Sequence, residues 1–336
     1  MQNRRFLLKR RPKGDPVPED FDLVTEDVPS PPAGGFVMRN HYISLDPAQR
    51  GWMDDAPSYM PPIPLGDPVR ATSVGVVHAS DNPDYEVGQW VMGLNGIEEF
   101  SSVVPEHFTA KIDPTMVDSP ARFLSAMGAV SLTAYFAMME VAKPKEGEVL
   151  CVSGAAGAVG SVVGQIGKIH GCKVIGIAGG PDKCKRLIDD YGFDFAIDYR
   201  GKDRHALAKE IAKAAPDGLD IVFENVGGEV MEAEVMNLAH YARVVLCGLI
   251  SEYNSVEKHG LQGLWRILTQ RATIHGFLIM DYADRFPEGG AQIAEWMAEG
   301  RMRIDEDIYE GIENAYETFM RLFSGDKDGK LVLKVA

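Results

Sequence analysis

Gly154-Ala155-Ala156-Gly157-Ala158-Val159-Gly160 follows the apolar run Val149-Leu150-Cys151-Val152 and leads into a stretch where Val159, Val162, Val163, Ile166 and Ile169 repeat at the spacing of one helical face. A buried strand, a glycine turn and a sheet-packed helix are expected in that order. Glycines let the chain turn tightly and bring backbone N–H groups close to an anion, and the positive end of the helix macrodipole favours negative charge there. A GxxGxxG string also arises where small residues merely let a helix approach a strand. Here strand, turn and helix agree, so the stretch reads as a site for a dinucleotide diphosphate.

Outward from this turn, apolar runs recur at 149–152, 173–178, 195–199, 219–224, 242–247 and 273–280, with amphipathic segments between them. Six strands joined by crossover helices make a doubly wound parallel sheet, whose ligand crevice lies beyond the carboxyl ends of the strands. Before residue 125 prolines are dense (Pro12, Pro16, Pro18, Pro29, Pro31, Pro32, Pro57, Pro61, Pro62, Pro64), and short Val-rich runs such as 69–77 are bounded by Gly and Pro. That pattern reads as an irregular β domain. After residue 300 a short helix, 311–323, and a last strand, 330–335, return to the first domain. The expectation is an α/β chain with a β-rich domain at 1–127 plus 300–336 and a Rossmann domain at 128–299.

Composition narrows the function classes. The chain has 336 residues, 45% of them hydrophobic, enough to fill two cores. A formal charge of −15 argues against nucleic acid and anionic membranes as partners, since both need clustered positive charge. Arg4-Arg5-Phe6-Leu7-Leu8-Lys9-Arg10-Arg11 is basic, but three apolar residues cannot form the core of a secretion signal. The uncharged stretch 149–167 contains the glycine turn, two serines and a glutamine, so a buried strand and helix explain it better than a membrane span. Cys151, Cys172, Cys184 and Cys247 show no CxxC pairing, which disfavours structural zinc and suits reduced, buried thiols in a cytoplasm.

The choice of dinucleotide rests on the second strand, which ends Ala178-Gly179-Gly180 with no acidic residue at its tip. Binding of the ribose hydroxyls of NAD uses an Asp or Glu there, whereas a 2′-phosphate needs cations. Lys183 follows, and Tyr199 and Arg200 close the third strand, so NADP is favoured. Asp182 beside Lys183 is the counter-indication, and Lys183 also fits an ordinary solvated lysine in a helix's first turn.

The residues resemble the zinc-independent branch of the medium-chain dehydrogenases/reductases, the leukotriene B4 dehydrogenase, prostaglandin reductase and alkenal double-bond reductase group. The likeness spans almost the whole chain. It rests on Ser44-Leu45-Asp46-Pro47 with Arg50-Gly51, Tyr59 with Pro61-Pro62, Leu132-Thr133-Ala134-Tyr135, the run from Ala155 to Gln165, Glu224-Asn225-Val226-Gly227-Gly228-Glu229, Cys247-Gly248 with Tyr253-Asn254, and Gly276-Phe277. The resemblance implies a GroES-like N-terminal domain beside the Rossmann domain, NADP(H) as cofactor, and a homodimer formed through the edge of the cofactor domain. It further implies that Gly157, Ala158, Val159 and Gly160 hold the diphosphate, Lys183 and Tyr199 the 2′-phosphate, and Asn225 the middle of the cofactor. Cys247, Gly248, Tyr253, Phe277 and Leu278 would then line the nicotinamide. This chain departs from the pattern at Ala48-Gln49, where the family carries Tyr-Met, at Ala129-Val130-Ser131, where it carries Met-Pro-Gly, and at Lys327, where it carries Asn.

No cysteine precedes Cys151, and His41 and His78 have no thiol partner, so a catalytic zinc is not expected. Hydride delivery to a simple ketone without a Lewis acid leaves a localised alkoxide, whereas delivery to the β-carbon of an enone or enal spreads the charge into an enolate that hydrogen-bond donors can stabilise. The expected activity is therefore NADPH-dependent reduction of the double bond of α,β-unsaturated ketones or aldehydes. The cofactor's ribose hydroxyl and the Tyr253 phenol would face the substrate oxygen, and water or Tyr253 would supply the α-carbon proton. Tyr253 packed for area is the plainer reading. Tyr59 and Met127 are candidate substrate contacts that fit packing roles equally well, and Arg50 suits bonding to loop carbonyls or to Asp46. An NADPH-dependent quinone reductase and a non-catalytic NADP-binding protein remain the alternatives.

Overall fold

Strand pairing in the computed structural model, which describes residues 1–105 and 108–336, divides the chain into two units, Met1–Leu124 with Glu306–Ala336 and Ser125–Asp305. In the first, β1 (Gln2–Leu8) and β2 (Phe21–Asp27) form an antiparallel ribbon. The larger sheet begins with β3 (Phe36–Ser44), β4 (Arg70–Ser80), β5 (Trp90–Gly96), β6 (Phe100–Val103) and β7 (Ala110–Lys111), all paired antiparallel. One turn of helix, α1 (Ala48–Trp52), follows β3, and Phe6, Leu8, Ile43, Leu45, Met53 and Ile97 are among the side chains that fill the core beneath.

The second unit is a six-stranded parallel sheet. Its strands are β8 (Val149–Val152), β9 (Lys173–Ala178), β10 (Phe195–Asp198), β11 (Leu219–Glu224), β12 (Leu238–Leu246) and β13 (Thr273–Gly276), in the spatial order β10-β9-β8-β11-β12-β13. That is the doubly wound order with its switch point between β8 and β11. Helices α2 (Ala129–Phe136), α3 (Ala158–Ile169), α4 (Pro181–Asp189), α5 (Arg204–Ala214), α6 (Gly228–Val235), α7 (Ile250–Tyr253), α8 (Leu264–Gln270) and α9 (Phe286–Ala298) precede, separate and follow the strands. Alternate strand residues feed two cores. Leu150, Val152, Val174, Ile221, Phe223 and Val245 face one, and Cys151, Ile175, Ile177, Val222 and Val244 face the other, as the two-residue period of a sheet covered on both faces requires. The expected helix after the glycine turn is α3, with Val162, Val163 and Ile166 fully buried and Val159 and Ile169 packed at the margin of the core.

The boundaries differ from the expectation in identifiable ways. β12 starts at Leu238 rather than 242, with Tyr241 at φ +62 where its pairing with β11 slips. β13 stops at Gly276 because Ile279–Arg285 winds into a 3-10 helix, and Phe277 and Tyr282 stack at 5.4 Å between ring centroids. Residues 300–305 stay with the parallel sheet, since Met302 and Ile304 are buried in its core and the Gln165 amide accepts from Arg303 N–H at 2.7 Å.

The chain then returns to the first unit as β14 (Glu306–Glu310), α10 (Ala315–Ser324) and β15 (Lys330–Lys334), with β15 between β14 and β3. The Lys330 ammonium, fully buried, donates to Leu45 O at 2.7 Å and to Asp46 Oδ1 at 2.8 Å. Burial holds this ammonium below its ordinary value, against the pull of Asp46.

Gly164 in α3 leaves room for Phe193, whose ring carbon would lie 1.8 Å from an added Cβ. Helix propensity alone makes Gly→Ala favourable by about 1 kcal/mol. The contact reverses the sign: Gly164→Ala is expected to destabilise the protein by about 1–3 kcal/mol in urea titrations. A gain in stability would refute the packing argument.

Candidate functional site

The glycine turn is built by three close approaches. Gly154 takes φ +57, a conformation that disfavours side chains, and a Cβ there would touch Asn225 and Val226 at 3.5 Å. Gly157 closes the turn by donating its N–H to Gly154 O at 2.9 Å. An added Cβ at Gly160 would lie 2.5 Å from Gly154 O, so only glycine lets the helix start this near the strand. The ladder of α3 begins with Ser161 N–H donating to Gly157 O at 3.0 Å. The N–H groups of Ala158, Val159 and Gly160 lie ahead of that ladder, at the positive end of the helix.

The ends of β8 and β11 are tied together beneath this turn. Ser153 is buried; its hydroxyl donates to Glu224 Oε1 at 2.7 Å and accepts from Asn225 N–H at 2.8 Å. Glu224 Oε1 also accepts from Val226 N–H at 2.5 Å and Gly227 N–H at 2.8 Å. The Asn225 amide donates back to Ser153 O at 2.8 Å. The next loop is hung from the same residues: Cys247 and Gly248 donate to Glu224 O, and Ile250 to Asn225 O. Asn225 and the Cys247–Gly248 segment are thus brought together. Glu224 and Ser153 were not singled out from the sequence; a buried acid at the end of an apolar strand was the available signal.

Tyr253 ends α7, and its phenol accepts from Leu249 N–H at 3.2 Å beside Gly248. The hydroxyl therefore lies at the Cys247–Leu249 segment. Burial and Glu224 push the Cys247 thiol up to about 12, which keeps it protonated and unreactive. Glu232, buried in α6, anchors the loop after Tyr253 by accepting from Gln262 N–H at 2.5 Å and Gly263 N–H at 3.1 Å.

A second cluster gathers where β9 ends. The Tyr199 hydroxyl and Arg200 Nε would lie 3.1 and 3.2 Å from a Cβ at Gly179, and Arg200 Nη1 3.0 Å from one at Gly180. Asp198 takes the N–H groups of Gly180 at 2.8 Å and Arg200 at 3.0 Å. Desolvation opposes its ionisation, but these two backbone donors and the neighbouring cations outweigh it and hold the carboxyl below its ordinary range. Lys183 is half-buried in the first turn of α4, and Asp182 is exposed. The strand tip itself carries no carboxylate.

The remaining candidates sit apart in kind. Phe277 and Leu278 are half-buried, with the Phe277 ring stacked on Tyr282, and Met127 packs its methyl toward Gly290. In the first unit Tyr59 is half-exposed and meets the Trp52 ring edge-on at 6.3 Å. Arg50 is structural, bonded to Pro12 O, Gly14 O and Asp54 rather than to Asp46, which pairs with Lys330. Gln49, one of the two departures in that loop, is buried and closes the turn through Asp46 N–H and Ser44 O. A cavity of about 710 Å³ in this unit is lined by Met60, Arg70, Asn95 and Phe108 among others, but not by Tyr59. Among the described residues no group of His, Cys, Asp and Glu is arranged to hold a metal ion.

Comparison with known proteins supplies the context. Residues 4–112 match the family model for the N-terminal domain of oxidoreductases, and residues 158–295 match that of the zinc-binding dehydrogenases. The chain is 40% identical to an NADPH-dependent curcumin reductase of Escherichia coli, over 100% of this chain and 97% of that protein. It is 35% identical to an NADP(+)-dependent 2-alkenal reductase of Nicotiana tabacum, over 100% and 98%. Its fold matches the crystal structure of CurA from Vibrio vulnificus in complex with NADPH at a TM-score of 0.93, with 38% identity over 99% of each chain.

Ser153→Ala would leave Glu224 and Asn225 N–H each short of a buried partner, a loss of about 1–3 kcal/mol. A urea midpoint unchanged from wild type would show that this network does not hold the turn.

Proposed function

The chain belongs to the zinc-independent branch of the medium-chain dehydrogenases/reductases, in its alkenal and enone reductase group, and from that membership we propose that it reduces the carbon–carbon double bond of α,β-unsaturated ketones or aldehydes with NADPH. The observation that carries this reading is the glycine turn with its three N–H groups ahead of the α3 ladder, set in a chain similar throughout its length to NADPH-dependent reductases. Bound NADPH supplies the hydride for the β-carbon of the substrate. Ala158, Val159 and Gly160 present their N–H groups to its diphosphate, with Gly157 leaving the approach open. Lys183 and Tyr199, with Arg200, take the 2′-phosphate. Asn225 holds the middle of the cofactor, and Cys247, Gly248, Phe277 and Leu278 line the nicotinamide.

On the substrate side Tyr253 is the catalytic residue. Its phenol donates to the substrate oxygen as charge develops there, in place of a Lewis acid, and Tyr253 or water delivers the proton to the α-carbon. Met127 borders the substrate. The four thiols are free, and burial is the first cause raising each of them, including Cys172 to about 11, which suits a reducing cytoplasm. No helix among the described residues is long and apolar enough to cross a membrane.

A homodimer forms through the edge strand β13. All four of its residues are exposed, and Leu264, Trp265 and Leu268 on nearby α8 are 63%, 75% and 65% exposed, an apolar surface of the kind that a partner covers.

With an enone and NADPH deuterated at the transferred position, mass spectrometry is expected to find the saturated carbonyl labelled at the β-carbon. An allylic alcohol, or oxidation of NADPH by quinones alone, would overturn the assignment. Tyr253→Phe is expected to lower kcat by about 10²–10³ while leaving NADPH affinity intact. Lys183→Ala is expected to weaken NADPH roughly tenfold or more and NADH little, read by fluorescence titration. Ile274→Lys on the β13 edge is expected to shift sedimentation from dimer to monomer.

A further inference from the structure

Two carboxyl groups meet inside the parallel-sheet unit with only one set of donors between them. Glu224 at the end of β11 and Glu234 in α6 are both fully buried. Glu224 Oε1 collects Ser153 O–H, Val226 N–H and Gly227 N–H. Glu224 Oε2 and both oxygens of Glu234 have no N–H or hydroxyl donor among the described residues. The titratable groups facing Glu234 are Glu224 and the Cys151 thiol of β8, and Glu224 also interacts with the Cys247 thiol. Among the described residues no cation pairs with either carboxyl. Two carboxylates this close in a dry interior cannot both be ionised. The charge belongs on Glu224, where three donors stabilise it. The remaining proton belongs on Glu234, whose O–H then satisfies Glu224 Oε2.

We propose that Glu234 is a buried neutral acid that donates a hydrogen bond to Glu224 and thereby positions the Asn225–Gly227 turn for the dinucleotide. It is a positioning residue, two steps removed from the cofactor. The path runs from the Glu234 O–H to the Glu224 carboxylate, then to the N–H groups of Val226 and Gly227 and, through Ser153, to Asn225. Burial and the adjacent Glu224 both raise the Glu234 carboxyl well above its ordinary range. The cofactor part of this proposal rests on the NADPH reading above; the location of the proton does not.

The sign of the linkage is set by the direction of that shift. In the unfolded chain Glu234 ionises near 4.5, while in the folded protein it stays protonated. Above that value folding must take up a proton, so this group's contribution falls by as much as tenfold in the folding equilibrium constant per pH unit until its folded value is reached.

The test uses full-length protein and the variants E234Q and E234L. Infrared spectra of the unligated wild type are expected to show the carbonyl stretch of a protonated carboxyl, absent from E234Q. Urea titrations are expected to show the folding constant of E234Q rising relative to wild type as pH increases from 5 to 7. The Gln amide can still donate to Glu224, so E234Q is expected to bind NADPH within about threefold of wild type, and E234L at least tenfold more weakly. No protonated-carboxyl band in the wild type overturns the proposal, as does E234Q binding NADPH as weakly as a folded E234L. If E234L does not fold, the infrared band and the pH dependence of E234Q decide. A band and pH slope as expected, in a wild type that does not bind NADPH, would overturn the cofactor reading and leave the proton on Glu234 supported.

Discussion

Parallel strands end by releasing backbone donors and acceptors into a region the helices cover, and this molecule meets that demand with one buried carboxylate. Glu224 Oε1 gathers a hydroxyl and two N–H groups from the ends of two strands, while its own carbonyl holds Cys247 and Gly248. An ionised acceptor makes hydrogen bonds about twice as strong as a neutral one, so a single group can fix three chain segments. The same group carries a desolvation cost that no cation among the described residues offsets, so its buried charge depends on the three donors gathered at Oε1.

The first unit solves its own closure problem in a related way. Its last strand must be held against a loop that begins 285 residues earlier in sequence, and Lys330 does so by reaching Leu45 O and Asp46 from a fully buried position. Arg50 and Gln49 then satisfy the carbonyls and N–H groups of the neighbouring turns. Polar side chains in this loop are committed to backbone. The departures from the family pattern at Ala48-Gln49 therefore leave one small residue and one inward-facing amide where larger side chains are usual.

Chemistry without a metal fits this architecture. Hydride addition to a conjugated double bond places the developing charge on an enolate oxygen, and one or two oriented donors are enough to stabilise it. Tyr253 sits on the loop suspended from Glu224 and Asn225, whose outer end is anchored by Glu232. Positional accuracy for a side chain on a loop comes from such anchoring.

The sequence alone determined the fold class, the six parallel strands and the glycine turn, because periodicity and glycine placement are local properties that survive any tertiary context. It determined the strand interiors better than their ends: the Tyr241 irregularity and the 3-10 turn after Gly276 depend on pairing and aromatic stacking between residues distant in sequence. Gln49 gave no local sign of its inward turn, and Arg50, expected to bond loop carbonyls or Asp46, chose Asp54 and the carbonyls because Lys330 already occupies Asp46. Only the tertiary structure brought Ser153, Glu224, Glu234 and Cys151 into one buried cluster. Which of those acids carries charge follows from the donors that folding assembles around each, and no spacing along the chain encodes that count.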